Sequence, residues 1–227
     1  MTRLPHHERK RIRRDGLSLA ITVGSYGTAF GAASIASGLN VWQTSALSLL
    51  TFTGASQFAF VGVLGSGGTA ISAITTSLLL GSRNALYGLR LAPALQLKGK
   101  RKFFGSHLVI DESTAVSIAQ EAHGEEGMRH GFWVTGLGVY LFWNLFTLVG
   151  ALGARAIGDP ATLGLDAAVP AAFIALLWPR LTNRASWSVA IATVALVLAL
   201  VPIAPPGVPV IASSLIALIF GWKARRQ

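Results

Sequence analysis

Long uncharged apolar stretches, separated by short turns, dominate the chain. No Asp, Glu, Lys, Arg or His occurs from Gly16 to Ser82, from Gly131 to Ala154, or from Ala185 to Trp222. A helix needs about 20 apolar residues to cross the hydrocarbon core of a membrane. The pattern therefore predicts an all-α integral membrane protein. We divide its apolar chain into the segments 16–38, 43–64, 69–97, 131–153, 165–179, 185–203 and 207–222.

Composition supports this prediction. Hydrophobic residues make up 52% of the chain and charged residues 12%, whereas a soluble domain is about 25% charged. A soluble fold could not cover so much uncharged chain with a polar surface. We expect one transmembrane transporter domain over 16–222, preceded by a basic cytoplasmic segment, 1–15, and followed by a basic cytoplasmic tail, 223–227.

The positive charge lies at the ends of apolar segments. The net charge is +10, and cytoplasmic loops of membrane proteins collect Lys and Arg. Nucleic-acid binding is not expected, because no basic patch is combined with exposed aromatic residues. Most of the Lys and Arg residues form four groups, which are 3–14, 98–102, Arg180 with Arg184, and 223–226.

These basic groups conflict with a simple count of spans. Three apolar segments separate the N-terminal group from the group at 98–102, yet both should be cytoplasmic. Either one of the first three segments does not cross fully, or one basic group lies on the other side of the membrane. Segment 69–97 is the candidate for a broken or re-entrant helix, because Arg83 interrupts it and Gly81 and Gly88 loosen it.

An internal repeat is also suggested. Gly16, Tyr26 and Gly38 in the first segment match Gly131, Tyr140 and Gly153 in the fourth at similar spacing. If each copy had an odd number of spans, the second copy would be inverted, which is a common plan in transporters.

Polar residues inside the second and third apolar segments are the first candidates for a substrate site. Thr53, Gly54, Ala55, Ser56 and Gln57 lie in the middle of segment 43–64. A break in the helix there would offer backbone groups to a carboxylate or an ammonium. The alternative is ordinary hydrogen bonding between helices, worth about 0.6–2 kcal/mol per contact.

Charged residues near the third segment are the second group of candidates. An arginine at membrane depth costs at least about 2.5 kcal/mol, so Arg83 needs a carboxylate, a water-filled cavity or an anionic ligand beside it. Asn84 and Tyr87 follow it on the same segment. Asp111 and Glu112 could pair with Arg83, carry a proton, or simply face water on an interfacial helix.

Three motifs resemble the AzlC family, the large subunits of branched-chain amino acid exporters. They are TFTGASQFAF at 51–60, GSRNALYGLRL at 81–91 and DESTAVS at 111–117, and the similarity extends roughly from Arg14 to Trp222. The resemblance implies proton-driven export of leucine, isoleucine, valine and methionine across the bacterial cytoplasmic (inner) membrane. It also implies a small AzlD-type membrane subunit as partner.

We accordingly expect substrate binding at 53–57, Arg83, Asn84 and Tyr87, and proton coupling at Asp111 and Glu112. No metal or cofactor is expected, because the chain has no cysteine and its histidines lack metal-ligand spacing. An enzyme is not expected either, since neither a phosphate-binding loop nor a GxSxG motif is present. The alternative function is an exporter or channel for another small solute, without specificity for amino acids.

Overall fold

The computed structural model of the chain describes residues 4–157, 171, 174 and 177–224, which form helices and turns without any strand. The all-α prediction is therefore confirmed. The helices are α1 His6–Ala36, α2 Val41–Leu50, α3 Ala55–Gly65, α4 Ala70–Gly81, α5 Arg83–Leu95, α6 Gly99–His107, α7 Asp111–Ala119, α8 Gly124–Ile157, α9 Arg184–Leu200 and α10 Val208–Ala224. Short 3-10 helices occur at Glu121–His123 and Trp178–Arg180.

Two stretches in the described part of the chain have the length and composition of a membrane-crossing helix. They are His6–Ala36 and Glu121–Ala156. The apolar segments at 16–38, 131–153, 185–203 and 207–222 correspond to α1, α8, α9 and α10. Most of segment 165–179 lies outside the described residues. Residues 6–15 of the basic N-terminal segment form the first turns of α1.

Helices α1 and α8 form the largest helix–helix interface among the described helices. They run parallel, because a Cβ on Gly16 would lie 2.8 Å from Thr135 Oγ1 and one on Gly31 would lie 2.7 Å from Ala151 N. The glycines of α1 allow this close approach. Inverted copies would place these two helices antiparallel, so the inversion expected between segments 16–38 and 131–153 is wrong.

The basic N-terminus and the 98–102 group lie at the same end of the bundle. Leu4 N donates to Glu126 Oε2 over 2.8 Å, and Arg9 pairs with Glu126. Gln96 Nε2 donates to Glu125 Oε1 over 2.9 Å. We call this end, which holds residues 4–14, 96–102 and 121–130, the basic end. The shared location removes the conflict in the span count.

Segment 43–64 is the one that turns back. Asn40 and Gln43 cap the start of α2 reciprocally, each side chain accepting from the other's backbone N–H over 2.9 Å. Helix α2 then descends to the middle of α8, and α3 returns until Gly65 lies beside Ser37. Helices α2 and α3 therefore form a re-entrant hairpin that enters from the end opposite the basic end.

Segment 69–97 is broken but runs the full length of the bundle. Its first helix, α4, starts beside Pro206, which accepts a hydrogen bond from Ser72 Oγ over 2.8 Å. The second, α5, ends where Ala94 O accepts from Arg129 Nε over 2.9 Å at the basic end. The expected break is present at Ser82, whereas the re-entrant alternative is wrong for this segment. Gly88 lies inside α5 and does not interrupt it.

Helices α6 and α7 form a second re-entrant hairpin, which enters from the basic end. Its middle reaches the tip of the first hairpin, where His107 Nε2 lies 2.9 Å from Leu49 O. Helix α7 then returns along α8, and Ser117 Oγ donates to Met128 O over 3.0 Å. The described part of the chain thus contains, twice and in opposite directions, a segment that runs the length of the bundle followed by a hairpin. An inverted arrangement is present, but it relates α1–α3 to α4–α7.

Candidate functional site

The tip of the first hairpin is held by Gln57. Gly54 precedes α3 with a φ of 64°, a conformation that favours glycine. The Gln57 side chain accepts from Gly54 N over 3.2 Å and donates to Leu47 O over 3.1 Å. These bonds satisfy a backbone donor at the start of α3, which a broken helix otherwise leaves unpaired, and tie it to Leu47 O, which also accepts from Thr51 N over 3.0 Å.

The tip of the second hairpin is held in the same way by Ser113. Its Oγ accepts from Ile110 N over 3.1 Å and donates to Leu108 O over 2.6 Å. Both Gln57 and Ser113 are the third residue of the helix that leaves the tip. The two hairpins therefore share a locking position as well as an inverted direction.

A cavity of about 240 Å³ lies where the two hairpins meet the break between α4 and α5. The starts of α3, α5 and α7 all reach it, and α1 and α8 close its other side. Its lining residues are Val23, Tyr26, Phe52, Thr53, Gly54, Ala55, Leu80, Arg83, Ile110, Asp111, Glu112, Val139, Trp143 and Leu177.

An ion pair spans the polar side of this cavity. Arg83 Nη1 lies 3.2 Å from Asp111 Oδ2, and the two side chains are 27% and 17% exposed. The pairing of Arg83 with a carboxylate of the Asp111–Glu112 group is thus confirmed. Asp111 begins α7, where the helix dipole favours a negative charge, while Arg83 begins α5, where the dipole is unfavourable to it. Arg83 therefore depends on its partner.

The side of the cavity formed by α8 is apolar, and an aromatic cluster lies behind it. The rings of Phe30, Phe58 and Trp143 pack together, with centroids 5.6–6.2 Å apart. Trp143 is 3% exposed and Val139 is 1% exposed. The cavity therefore combines one charged wall with one aliphatic and aromatic wall, an arrangement suited to a small molecule with a polar and an apolar part.

The structure brings most of the predicted site residues together. Three motifs distant in sequence contribute Thr53, Gly54, Ala55, Arg83, Asp111 and Glu112 to the same cavity. Ser56 and Gln57 lie behind it. Ser56 is 2% exposed and packs against Gly81 of α4, while Gln57 is fully buried in the hairpin lock.

The other two predicted residues of α5 also lie away from the cavity. Asn84 lines a separate groove on the opposite side of Phe52 and Thr53. Tyr87 is partly buried against the hydrophobic core. Asn84 is turned to another side of α5, whereas Tyr87 lies one turn beyond Arg83 on the same face of the helix. Neither residue lines the cavity.

Several lining residues were missed by reasoning from the sequence. Val139 and Trp143 come from α8 and Val23 from α1, and they lie within long uncharged segments, where an apolar residue that lines a cavity looks like any other. One signal could have indicated Trp143. Glycines at helical spacing on α1 predict a close helix partner, and the Cβ of a residue at Gly24 or Gly27 would meet the backbone of Trp143.

Comparison with known protein families identifies the family of the chain. The family described as AzlC protein matches residues 18–157, which is more than half of the chain. The matched region contains both hairpins and every residue of the cavity lining except Leu177. No curated protein and no solved structure matches the chain.

Proposed function

Because the chain belongs to the AzlC family, which is generally linked to branched-chain amino acid transport, we propose that it exports leucine, isoleucine and valine. Methionine is a further candidate substrate. The chain acts as the large subunit of a two-component secondary transporter, and the proton gradient drives it. The observation that carries this proposal is the cavity with an ion pair on one wall and apolar side chains on the other.

Location in the bacterial cytoplasmic membrane, with several crossings, is part of the proposal. Apolar side chains recur at helical spacing along the outer face of α8, each between 40% and 63% exposed. In water this stripe would be unfavourable, whereas lipid is a suitable environment for it. The basic end is proposed to face the cytoplasm. The residues of the stripe are Leu137, Leu141, Leu145, Leu148 and Leu152.

The cavity matches the chemistry of an amino acid with an aliphatic side chain. The carboxylate of the substrate binds Arg83, whose guanidinium suits planar oxygen pairs. Its ammonium binds Asp111 or Glu112. The aliphatic part packs against Val139 and Trp143, where burial is worth about 25 cal/mol per Å² of apolar surface.

Proton coupling follows from competition for the same carboxylates. The substrate ammonium and a proton both bind Asp111 or Glu112, and each excludes the other. Such competition is what the exchange of one substrate for an incoming proton requires. The Arg83–Asp111 pair closes the site when it is empty. A zwitterion opens the pair, because its carboxylate takes the place of Asp111 beside Arg83 and its ammonium takes the place of Arg83 beside Asp111.

A small AzlD-type membrane subunit is the proposed partner. The family resemblance is the main support for this partner. The exposed hairpin tips provide a physical argument as well. Thr51 and Ser106 are exposed beside backbone that has left the helix, near the middle of the bundle. Such backbone at membrane depth needs protein or water next to it, and a partner subunit supplies part of that cover.

Efflux from intact cells tests the proposed function. Cells that lack their own exporters are loaded with dipeptides containing leucine, isoleucine, valine, methionine, lysine or glutamate. Expression of the chain with its partner is expected to lower the internal concentration of the apolar amino acids alone. Arg83→Ala abolishes this effect, because the substrate carboxylate loses its counter-charge and Asp111 loses its partner.

Arg90→Ala is the matched control. Arg90 lies on the same helix, but its side chain is 54% exposed and pairs with Glu121 at the basic end. This variant is expected to export at the wild-type rate, with both proteins present in the membrane at equal amounts. Export by Arg83→Ala at the wild-type rate would refute the assignment of the site. An unchanged internal leucine concentration with the wild-type chain would refute the proposed function.

A further inference from the structure

A recess lined by basic side chains lies on α1 at the basic end. It has a volume of about 430 Å³ and opens to the protein surface. We call it the cationic recess. It shares no lining residue with the cavity at the hairpin tips. Its lining residues are His7, Lys10, Arg11, Arg13, Arg14 and Leu17.

The cationic recess continues into an apolar stripe along α1. One side of this helix, which includes the buried Gly16, packs against α8. An adjacent, exposed side carries Lys10, Arg14, Leu17 and Ile21, which follow one another at spacings of three or four residues and therefore form one stripe. Leu17 is 39% exposed and Ile21 is 49% exposed. A molecule bound along the stripe would meet positive charge at one end and hydrocarbon at the other.

The cations of the recess are only partly neutralised. Arg11 and Arg14 each pair with a carboxylate of α1, at 2.7 and 3.0 Å, whereas Lys10 and Arg13 form no ion pair within the described part of the chain. The Arg14 pair is exposed on both sides, and such pairs contribute little to stability, so Arg14 can exchange its carboxylate for another anion. Four Lys and Arg side chains against two carboxylates leave a net charge of +2. The recess therefore suits an anion.

The depth of the stripe matches the boundary between headgroups and hydrocarbon. The first uncharged stretch of the chain begins at Gly16. With a rise of about 1.5 Å per residue, Arg14 lies about 3 Å and Lys10 about 9 Å outside this boundary. The polar region of a bilayer adds about 5–8 Å on each side of its hydrocarbon core, which the long side chains of both residues can reach. Leu17, on the inner side, is level with the acyl chains.

We propose that the cationic recess binds an anionic phospholipid, with its phosphate among Lys10, Arg13 and Arg14 and an acyl chain along Leu17 and Ile21. A guanidinium suits this role, because it binds phosphate oxygens in pairs. Each Lys or Arg near an anionic lipid surface raises affinity about fivefold. The inference rests on the proposed membrane location and is independent of the solute that the cavity takes.

Lipid binding to the purified exporter in a neutral detergent provides the test. The full chain with its partner subunit is titrated with phosphatidylglycerol, which is anionic, and separately with phosphatidylcholine of the same acyl chains. Native mass spectrometry counts the bound lipids and yields their dissociation constants. The wild type should bind phosphatidylglycerol at least about tenfold more tightly, because at least two unpaired cations contribute about fivefold each.

The triple variant Lys10→Gln, Arg13→Gln, Arg14→Gln should lose this preference. All three side chains are exposed, so the substitutions leave the packing of α1 against α8 unchanged. Inorganic phosphate at the same concentration should not displace the lipid from the wild type, since it cannot use Leu17 and Ile21. Displacement by phosphate would show that the recess takes a free anion, and it would overturn the lipid assignment.

The matched control is the corresponding triple variant of α6, Lys100→Gln, Arg101→Gln, Lys102→Gln. It removes the same charge from the basic end, at exposed positions outside the recess, and should keep the wild-type preference. An equal loss in both triple variants would overturn the proposal, because diffuse charge rather than the recess would then attract the lipid. An unchanged preference in the α1 variant would overturn it as well.

Discussion

The burial of the Arg83–Asp111 pair predicts that the two side chains stabilise the fold jointly. The test is a double-mutant cycle with Arg83→Gln, Asp111→Asn and the double variant. Each single substitution leaves one charge in a site where its side chain was only 27% or 17% exposed. The double substitution leaves none, so its cost should be smaller than the sum of the two single costs.

The size of the coupling follows from the distance and the burial. At 3.2 Å and an effective dielectric constant of about 20, the Coulomb attraction is about 5 kcal/mol. Desolvation of the two groups offsets several kcal/mol of this attraction. We therefore expect a coupling free energy of about 1–3 kcal/mol, which is the range of contacting residues in buried networks.

Unfolding of the purified protein in mixed micelles measures this coupling. Increasing amounts of SDS unfold each variant, tryptophan fluorescence reports the transition, and the free energy of unfolding is compared across the cycle. Loss of one partner is expected to cost up to about 3–5 kcal/mol. The double variant should recover part of that loss.

Arg90 and Glu121 provide a control cycle with a shorter distance and less burial. Their N–O distance is 2.9 Å, but the side chains are 54% and 59% exposed. Exposed pairs contribute at most about 1 kcal/mol. If the coupling between Arg83 and Asp111 were no larger than that between Arg90 and Glu121, burial would not be the reason for the pair, and the reasoning would fail.

Two further predictions concern packing and topology. Gly31→Leu should lower the thermal stability of the protein in detergent, because its Cβ would meet Ala151 N at 2.7 Å, whereas Gly153→Leu, with nothing within 4 Å, should not. The chain has no cysteine, so single cysteines can report topology. Cysteines at Ala36 and Ser66 should react with an impermeant maleimide from the same side of sealed vesicles. A cysteine at Lys98 should react from the other side. Labelling of Ala36 and Ser66 from opposite sides would contradict the first hairpin.

The sequence alone could predict the helix breaks and name candidate partners for Arg83. An arginine within a long apolar stretch requires compensation, and Asp111 and Glu112 were candidates for it, together with a water-filled cavity or an anionic ligand. Small residues at 53–56 indicated a break in segment 43–64, and Arg83 with Gly81 indicated one in segment 69–97. Both inferences depend on the free-energy cost of individual residues within an apolar helix, and the local sequence pattern shows this cost directly.

The direction of the chain after each break could not be predicted. Hydrophobicity shows that a segment lies at membrane depth, but it has the same value whether the chain continues or turns back. The decision is made by contacts distant in sequence, such as Gly65 beside Ser37. For the same reason Gln57 could be identified as important but not as the residue that locks the tip. The inverted arrangement likewise relates other helices than the sequence pattern indicated.

The electrostatics of the cavity explain why a zwitterion suits it better than an ion. The starts of α3, α5 and α7 reach the cavity, and each contributes a positive potential equivalent to about half an elementary charge. With Arg83, Asp111 and Glu112 ionised, the three side chains are net negative, and the helix starts bring the total of the site to within about half an elementary charge of zero. A net anion or a net cation would leave one charge uncompensated in a region shielded from water, which costs several kcal/mol. A zwitterion adds one charge of each sign, placed on the two sides that Arg83 and the carboxylates define. The inverted hairpins bring the starts of α3 and α7 to the same depth. The selectivity proposed for the cavity therefore depends on the topology of the fold as well as on its charged residues.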